Sequence, residues 1–452
     1  MKQSSTLFCL AGLSFALSLL ACGCSQDLAT RAPAHQMKAT VLATIVNLAY
    51  EDDVSKSQSM QPKVIFSPQG DGVAYLAAQD GKQYVVHNGR SGVRFPTISH
   101  LAISPDGRHV AHDALLPDGR RRMFLDEKPG EVYSDVWPPA FSPDSRHLTY
   151  IAQKGKVSYL VIDGLQAADG HPSFNGDPVF AADSRTVAFV LTPAAAGTGA
   201  RLVICDLQMR ELCSFICEDE YAPLLSRDRS KIALVEKMPK GVRVKVMSLA
   251  DRSILSSGPV VDAVDKLTFG RDDSTVLYVA ARGKERFVQV SRREVQLPPS
   301  EAFGPPAEYG ERPDVALFLK TAKGTGLYRS EPIGFSGAWY DEAGQLVYDR
   351  SGKQSAFCAR KGKRFLVVVN GKESPKYDMV ISPAWSPDGS RLVFRARQGG
   401  KRFLVVMSAS GAVVRQNPPA DMVFETTFTA DGRSVAYGAK QGNRLEWRVE
   451  PL

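Results

Sequence analysis

The chain has 452 residues, 44% of them hydrophobic, with 37 Gly and 28 Pro, which suits a globular chain rich in turns and excludes a disordered or collagen-like one. Its formal net charge is +8 and its pI about 9.0, a balance that suits an anionic partner. With 7 Cys and 7 His scattered along the sequence, composition alone points to no metal or redox centre.

Residues 1–21 read as an export signal: Lys2 supplies the positive start and Leu7 to Leu20 a short apolar run. Leu19-Leu-Ala-Cys22 resembles the lipobox of bacterial lipoproteins, which implies acylation of Cys22, with Cys24 as a competing point. The resemblance implies a periplasm-facing protein anchored by lipid alone; neither Gly23 nor Ser25 is the inner-membrane retention Asp, so it implies the outer membrane. Residues 22–37 lack periodicity and read as a tether. Lys38-Ala-Thr-Val-Leu-Ala-Thr-Ile-Val-Asn47 alternates small or polar with apolar residues, a strand that precedes the first complete repeat.

From residue 64 one phrase recurs: an apolar or aromatic residue, a tight turn, then a β-rich run. Phe66-Ser-Pro-Gln-Gly, Ile103-Ser-Pro-Asp-Gly, Phe141-Ser-Pro-Asp-Ser and Trp385-Ser-Pro-Asp-Gly are the clear copies. Phe180-Ala-Ala-Asp-Ser, Leu225-Ser-Arg-Asp-Arg, Phe269-Gly-Arg-Asp-Asp and Phe428-Thr-Ala-Asp-Gly are variants, and Tyr309 and Tyr348 begin the weakest two. Pro presets φ, Asp bonds its own backbone, and Gly accepts positive φ. Successive anchors lie about 40 residues apart, the period of a four-stranded blade. The phrase, with the Asn-Gly turns ending Gln83–Gly89 and Arg364–Gly371, resembles the WD40-like β-propeller repeat of TolB-type proteins.

The resemblance implies an all-β fold: residues 38–452 as a propeller of four-stranded blades, a single ring of about ten by literal count of anchors. A seven- or eight-bladed ring, or two smaller rings, stay open. The last repeat stops at Leu452 after three strands, so residues 39–47 are expected to supply the fourth and close the ring. The stretch from Pro299 to Gly337 is the least regular and is where any seam is expected.

The second hairpin of each unit is basic: Arg120, Arg121, Arg122, Lys154, Lys156, Arg282, Lys284, Arg360, Lys361, Lys363, Arg364, Lys401, Arg402 and Lys440. Equivalent hairpins of a propeller share one face, so these predict a basic crown, either for an anionic surface or for solubility alone. An exported protein without a stacking-aromatic module is no nucleic-acid binder. Cys205 and Cys213 lie on adjacent strands of one hairpin turning near Met209, placed for a disulfide in an oxidising compartment, with Cys213–Cys217 as the alternative and free buried thiols as the plain one.

Chemistry is sparse. His109 and His112 fall on opposite faces of a strand, so joint metal ligation is awkward, and no metal or cofactor is expected. Gly334-Phe-Ser-Gly337 lacks the pattern of a nucleophile elbow. Asp106, Asp144, Asp183 and Asp388 read as turn residues, and no residue as catalytic. The resulting expectation is a non-catalytic, lipid-anchored envelope platform that binds a protein, a peptide or another ligand. The alternative is a small-molecule hydrolase or lyase with its site in the central channel.

Overall fold

The computed structural model describes residues 38–45, 64–68, 70, 72–192, 199–218, 223–310, 314–429 and 431–452; the signal and tether lie outside them. Every regular element among these is a β-strand. They form ten four-stranded antiparallel blades, with strands a to d from the centre outward. Blade 1 comprises Val64–Phe66, Val73–Gln79, Lys82–His87 and Arg90–Ser91. In blade 3 strand a is split into Asp135–Val136 and Ala140–Phe141, both paired to Leu148–Lys154. Blades 4 and 5 are joined into one sheet through Cys217 opposite Glu236.

Strands b and c explain the near-continuous apolar runs of the sequence. Leu148–Lys154 is buried over its first five residues, on both faces of the sheet. Each blade is sandwiched between two others, so alternation gives way to continuous burial. Ten apolar clusters among the described residues each join consecutive blades. Trp385 wedges between blades 8 and 9 against Val367, Val369 and Phe394.

The circuit closes as expected. Blade 10 takes Met422–Phe428, Ser434–Gln441 and Arg444–Pro451 from the C-terminus, and Lys38–Thr44 as its outer strand. Lys38 stands opposite Val449 and Thr44 opposite Arg444. Ala43 and Leu445 of this blade pack with Val64, Tyr75 and Tyr84 of blade 1. Gly438 has no room for a Cβ, which would lie 2.4 Å from the Phe66 ring.

The stretch expected to hold a seam does not. Glu301–Tyr309, Asp314–Thr321, Gly324–Ser330 and Ile333–Tyr340 make blade 7, whose four strands are among the longest of the ring. Its glycines and prolines sit at a bulge in strand a, between Phe303 and Ala307, and so disguised a regular strand.

The recurrent turn also locks neighbours together. In blade 9 the Ser386 hydroxyl donates to Asp388 (2.5 Å), whose carboxylate also accepts the Ser390 N–H (3.0 Å), and Gly389 sits at φ 72°. Where Ser replaces that glycine it does a second job. Ser145 and Ser184, at φ 67° and 57°, accept the N–H groups of Asp106 and Asp144 in the preceding blades, at 3.1 and 3.0 Å. Asn88, Asp126, Asp163 and Asn370, in the c–d turns, each accept the N–H that opens strand b of their own blade, at 2.8–3.0 Å.

Candidate functional site

The ring has two faces. Strands a end at the Ser-Pro-Asp-Gly turns, so these and the c–d turns share one, the turn face; the b–c hairpins project from the other. At the hairpin face an acid opens strand a and caps the hairpin of its own blade. Asp262, Asp341, Asp378 and Asp421 accept the N–H of Gly283, Gly362, Gly399 and Gly442, at 2.6–2.8 Å and always 21 residues downstream. Ser134 does the same for Gly155. Sequence reasoning missed this device, although a fixed Asp-to-Gly spacing announces it.

The expected basic crown is therefore interleaved with carboxylates. Arg360 pairs with Glu342 (2.7 Å), Lys361 with Glu373 (2.5 Å), Arg364 with Asp378 (2.5 Å) and Lys401 with Asp421 (2.9 Å). Arg282 pairs with Glu294 (2.9 Å), Arg120 with Asp118 (2.7 Å), and Arg402 donates to the Asp421 carbonyl (2.6 Å). Lys154 lies over the Tyr133 ring, and Lys440 flanks Asp421. Lys156, Lys284 and Lys363 are exposed. Arg121 and Arg122 belong to a strand, Arg121–Leu125, rather than to the hairpin tip. Arg121 turns inward onto the buried Asp113, which also accepts the N–H groups of Ser99 (2.9 Å) and His100 (2.6 Å).

No disulfide forms between Cys205 and Cys213, both free thiols. The turn does centre on Met209, at φ 59°, but a bulge sets Cys213 opposite Ile204 and Cys205 opposite Glu211. Cys205 then packs between blades 3 and 4, whereas Cys213 and Cys217 face blade 5, on the other side of the sheet. Cys213 and Cys217 share that face but lie four residues apart on an extended strand, roughly 13 Å, beyond disulfide reach. Burial pushes the Cys205 thiol up to about 12, as befits an inert core residue.

His109 and His112 do diverge. His109 bonds Asp126 at 2.6 Å near the surface, while His112 is buried and stacked on Phe124. Ser336, of the nearest approach to a nucleophile elbow, lies within outer strand d of blade 7 opposite Leu327. Among the described residues no three His, Cys, Asp or Glu side chains are grouped to hold a metal.

What the ring does build is a mouth. Strands a of blades 6 to 10 each carry a bulge, and Lys266, Gly304, Gln345 and Ser382 take positive φ of 53°, 87°, 54° and 56° there. The bulges interlock around the channel. Gln345 Oε1 accepts the Ser382 N–H (2.8 Å), and Arg395 Nη2 donates to Ser382 Oγ (2.8 Å). Burial lowers the Arg395 guanidinium, opposed by Glu425 of blade 10.

Above the bulges, toward the turn face, lies a cavity of about 440 Å³. Pro305, Pro306, Leu346 and Trp385 form apolar wall, and Arg227 and Arg350 stand at its edge. Arg271 braces the rim by donating to the carbonyls of Gly310 (2.7 Å) and Arg350 (2.9 Å) in blades 7 and 8. Its guanidinium fills the space that a side chain at Gly352 would need. Burial pushes the Tyr348 hydroxyl, beneath this rim, up to about 12. An apolar pocket with a few fixed polar groups is the usual form of a ligand site.

The turn aspartates are structural, with a consequence for acid stability. The Ser226 and Ser386 hydroxyls hold Asp228 and Asp388 down to about 2, from an ordinary 3.8. Carboxylates depressed in the folded state contribute stability above the ordinary value and lose it as pH falls toward the depressed one. Resistance to urea should therefore fall between pH 4 and pH 2, and Asp388→Asn should flatten that fall, read from unfolding midpoints at pH 5 and pH 2.5.

No family model matches the chain, and no curated protein does. Among solved structures it is similar to the Dos1 propeller, at 10% identity and TM-score 0.37, over 91% of this chain and 93% of that one. TolB from Acinetobacter baumannii is 17% identical with TM-score 0.30, over 63% and 79%. The β-propeller domain of the Trilobed protease from Pyrococcus furiosus is 13% identical with TM-score 0.32, over 70% and 97%. At such identities the likeness is one of fold.

Proposed function

We propose that this chain is a non-catalytic, lipid-anchored β-propeller of the cell envelope, facing the periplasm from the outer membrane, and that it holds a protein or peptide ligand. The observation that carries this reading is the mouth on the turn face: an apolar pocket of about 440 Å³ edged by Arg227 and Arg350 and framed by interlocked bulges. Such a pocket suits an apolar side chain next to a carboxylate, as an extended peptide supplies. A rigid ring holds these groups at fixed spacing, so little ordering is needed on binding. The anchor reading is supported by the Lys2 start, the apolar run and Cys22, which lie outside the described residues.

A photo-crosslinking side chain at Gln345, exposed in the mouth, tests this in living cells. The expected result is one discrete envelope-protein adduct, diminished several-fold by Arg350→Glu. Adducts confined to carbohydrate, or small-molecule turnover by the purified ring, would overturn it in favour of a channel enzyme.

A further inference from the structure

Among the described residues the buried carboxylates are those of Asp113, Glu308, Asp349, Glu446 and Glu450. All but one are well satisfied. Asp113 holds Arg121 and two backbone N–H groups, and Glu446 pairs with Arg448 at 3.0 Å. Asp349 accepts the Ser351 hydroxyl (2.5 Å) and the N–H groups of Lys353 and Gln354 (both 2.9 Å), and Glu450 accepts the Tyr437 hydroxyl. Glu308 is the exception. It is only 9% exposed, yet among the described residues it accepts the Arg271 N–H alone, at a long 3.2 Å, and has no cation within 4 Å.

Glu308 also lines the mouth. It follows the bulge in strand a of blade 7, and its carboxylate crosses to blade 6, where a Cβ on Gly270 would lie 2.7 Å from it. The arginines of the same cavity do not balance it. Arg271 directs its guanidinium to the carbonyls of Gly310 and Arg350. Arg227, Arg271 and Arg350 each adjoin an aspartate of their own, Asp228, Asp272 and Asp349. Against the pull of burial at Asp272 and Asp349, hydrogen bonds hold all three carboxyls below the ordinary range, so they stay ionised. An uncompensated buried charge is costly, and its presence in a cavity wall calls for a partner that the free chain lacks.

The geometry points to Glu308 as the seat of a cation on the ligand, the ammonium of a lysine side chain. This assignment deepens the peptide reading of the mouth and rests on it. A lysine lays its apolar stem along walls such as Pro305, Pro306 and Leu346 while its charge reaches a polar group beyond them. One Glu308 oxygen already holds the Arg271 N–H, so the other suits the point charge of an ammonium better than the two-pronged guanidinium. The acid that suits the edge and the lysine that suits the interior are then two residues of one extended peptide. Glu308 selects the second by the charge at the end of an otherwise apolar side chain.

The test uses the full-length protein and fluorescent hexapeptide libraries, acetylated and amidated at their ends. The libraries share their apolar positions and carry Lys, Arg, norleucine or Glu at one fixed position. By anisotropy the lysine library should bind about tenfold more tightly than the others. Acetylating its side-chain amine should reduce it to the norleucine level, and Glu308→Gln should erase the preference. The urea midpoint of Glu308→Gln should match or exceed that of the wild type, because the variant removes an unpaired charge. A clearly lower midpoint would show a carboxylate that serves the fold, and would overturn the assignment. Preference for Arg or Glu, or a lysine preference kept by Glu308→Gln, would overturn it too. So would a free amino terminus that lifts the norleucine library to the lysine level, since the cation would then be the terminus. Binding by no library defeats the peptide reading of the mouth and this assignment together, whereas binding without preference defeats the assignment alone.

Discussion

Deleting residues 38–45 lowers the melting temperature by several degrees and drives the protein toward aggregation, as read by circular dichroism and size-exclusion chromatography. Two losses combine. Ala43, Leu42 and Ile45 leave the cluster that joins blade 10 to blade 1, and the Thr44 carbonyl no longer receives the Tyr75 hydroxyl. The third strand of blade 10, Arg444–Pro451, also becomes a free edge eight residues long, open to pairing with another chain. Leu445→Ala in the same cluster serves as a milder check, at about 2–5 kcal/mol for a fully buried leucine. In a chain of this size each kcal/mol corresponds to roughly 1 °C in melting temperature. A deletion variant that melts with the wild type would show that blade 10 is complete without its N-terminal strand.

Asp113→Ala is the second large effect, at about 3–5 kcal/mol, because a buried pair is broken from one side only. The carboxylate is fully buried, accepts two backbone N–H groups and holds Arg121, whose own side chain is largely buried. Arg121 also reaches Asp135 of blade 3 at 3.3 Å, so the loss extends across a blade boundary. Arg121→Met combined with Asp113→Leu should recover much of the stability, since no uncompensated charge then stays buried. Denaturant unfolding of both variants decides between a structural ion pair and a reactive one. Recovery in the double variant identifies it as structural.

The parts of the fold legible in the sequence were those written as local chemistry. The turn phrase marks the junction of strands a and b in most blades, because Ser, Pro, Asp and Gly each supply one element of its geometry. The missing fourth strand of blade 10 and its replacement by residues 38–44 followed from counting strands against anchors. What local patterns could not carry was register. Whether Cys205 faces Cys213 depends on a bulge that moves one residue between faces, and no residue type there announces it. Blade 7 was obscured for a related reason, since Gly304, Pro305 and Pro306 look like a linker and are a bulge within one strand.

The site was less legible than the fold. Lys and Arg along the hairpins are conspicuous in sequence, whereas their carboxylate partners, such as Asp378 beside Arg364, lie 14 residues away and meet them only in the folded blade. The turn acids are legible by contrast, since the Asp106 carboxylate is held by Ser104 and by the Arg108 N–H, both within two residues of it.

Ring closure is tested most directly by joining its two ends. Thr44→Cys and Arg444→Cys, introduced together, replace residues that stand opposite each other between the outer two strands of blade 10. Directly opposed residues bring their Cβ atoms to about 4.5–5.5 Å, near disulfide reach. Mild oxidation should give one intramolecular disulfide, seen as a single crosslinked peptide pair by mass spectrometry, in monomeric folded protein. Two thiols that both stay open to alkylation would contradict a ring shut by its first strand.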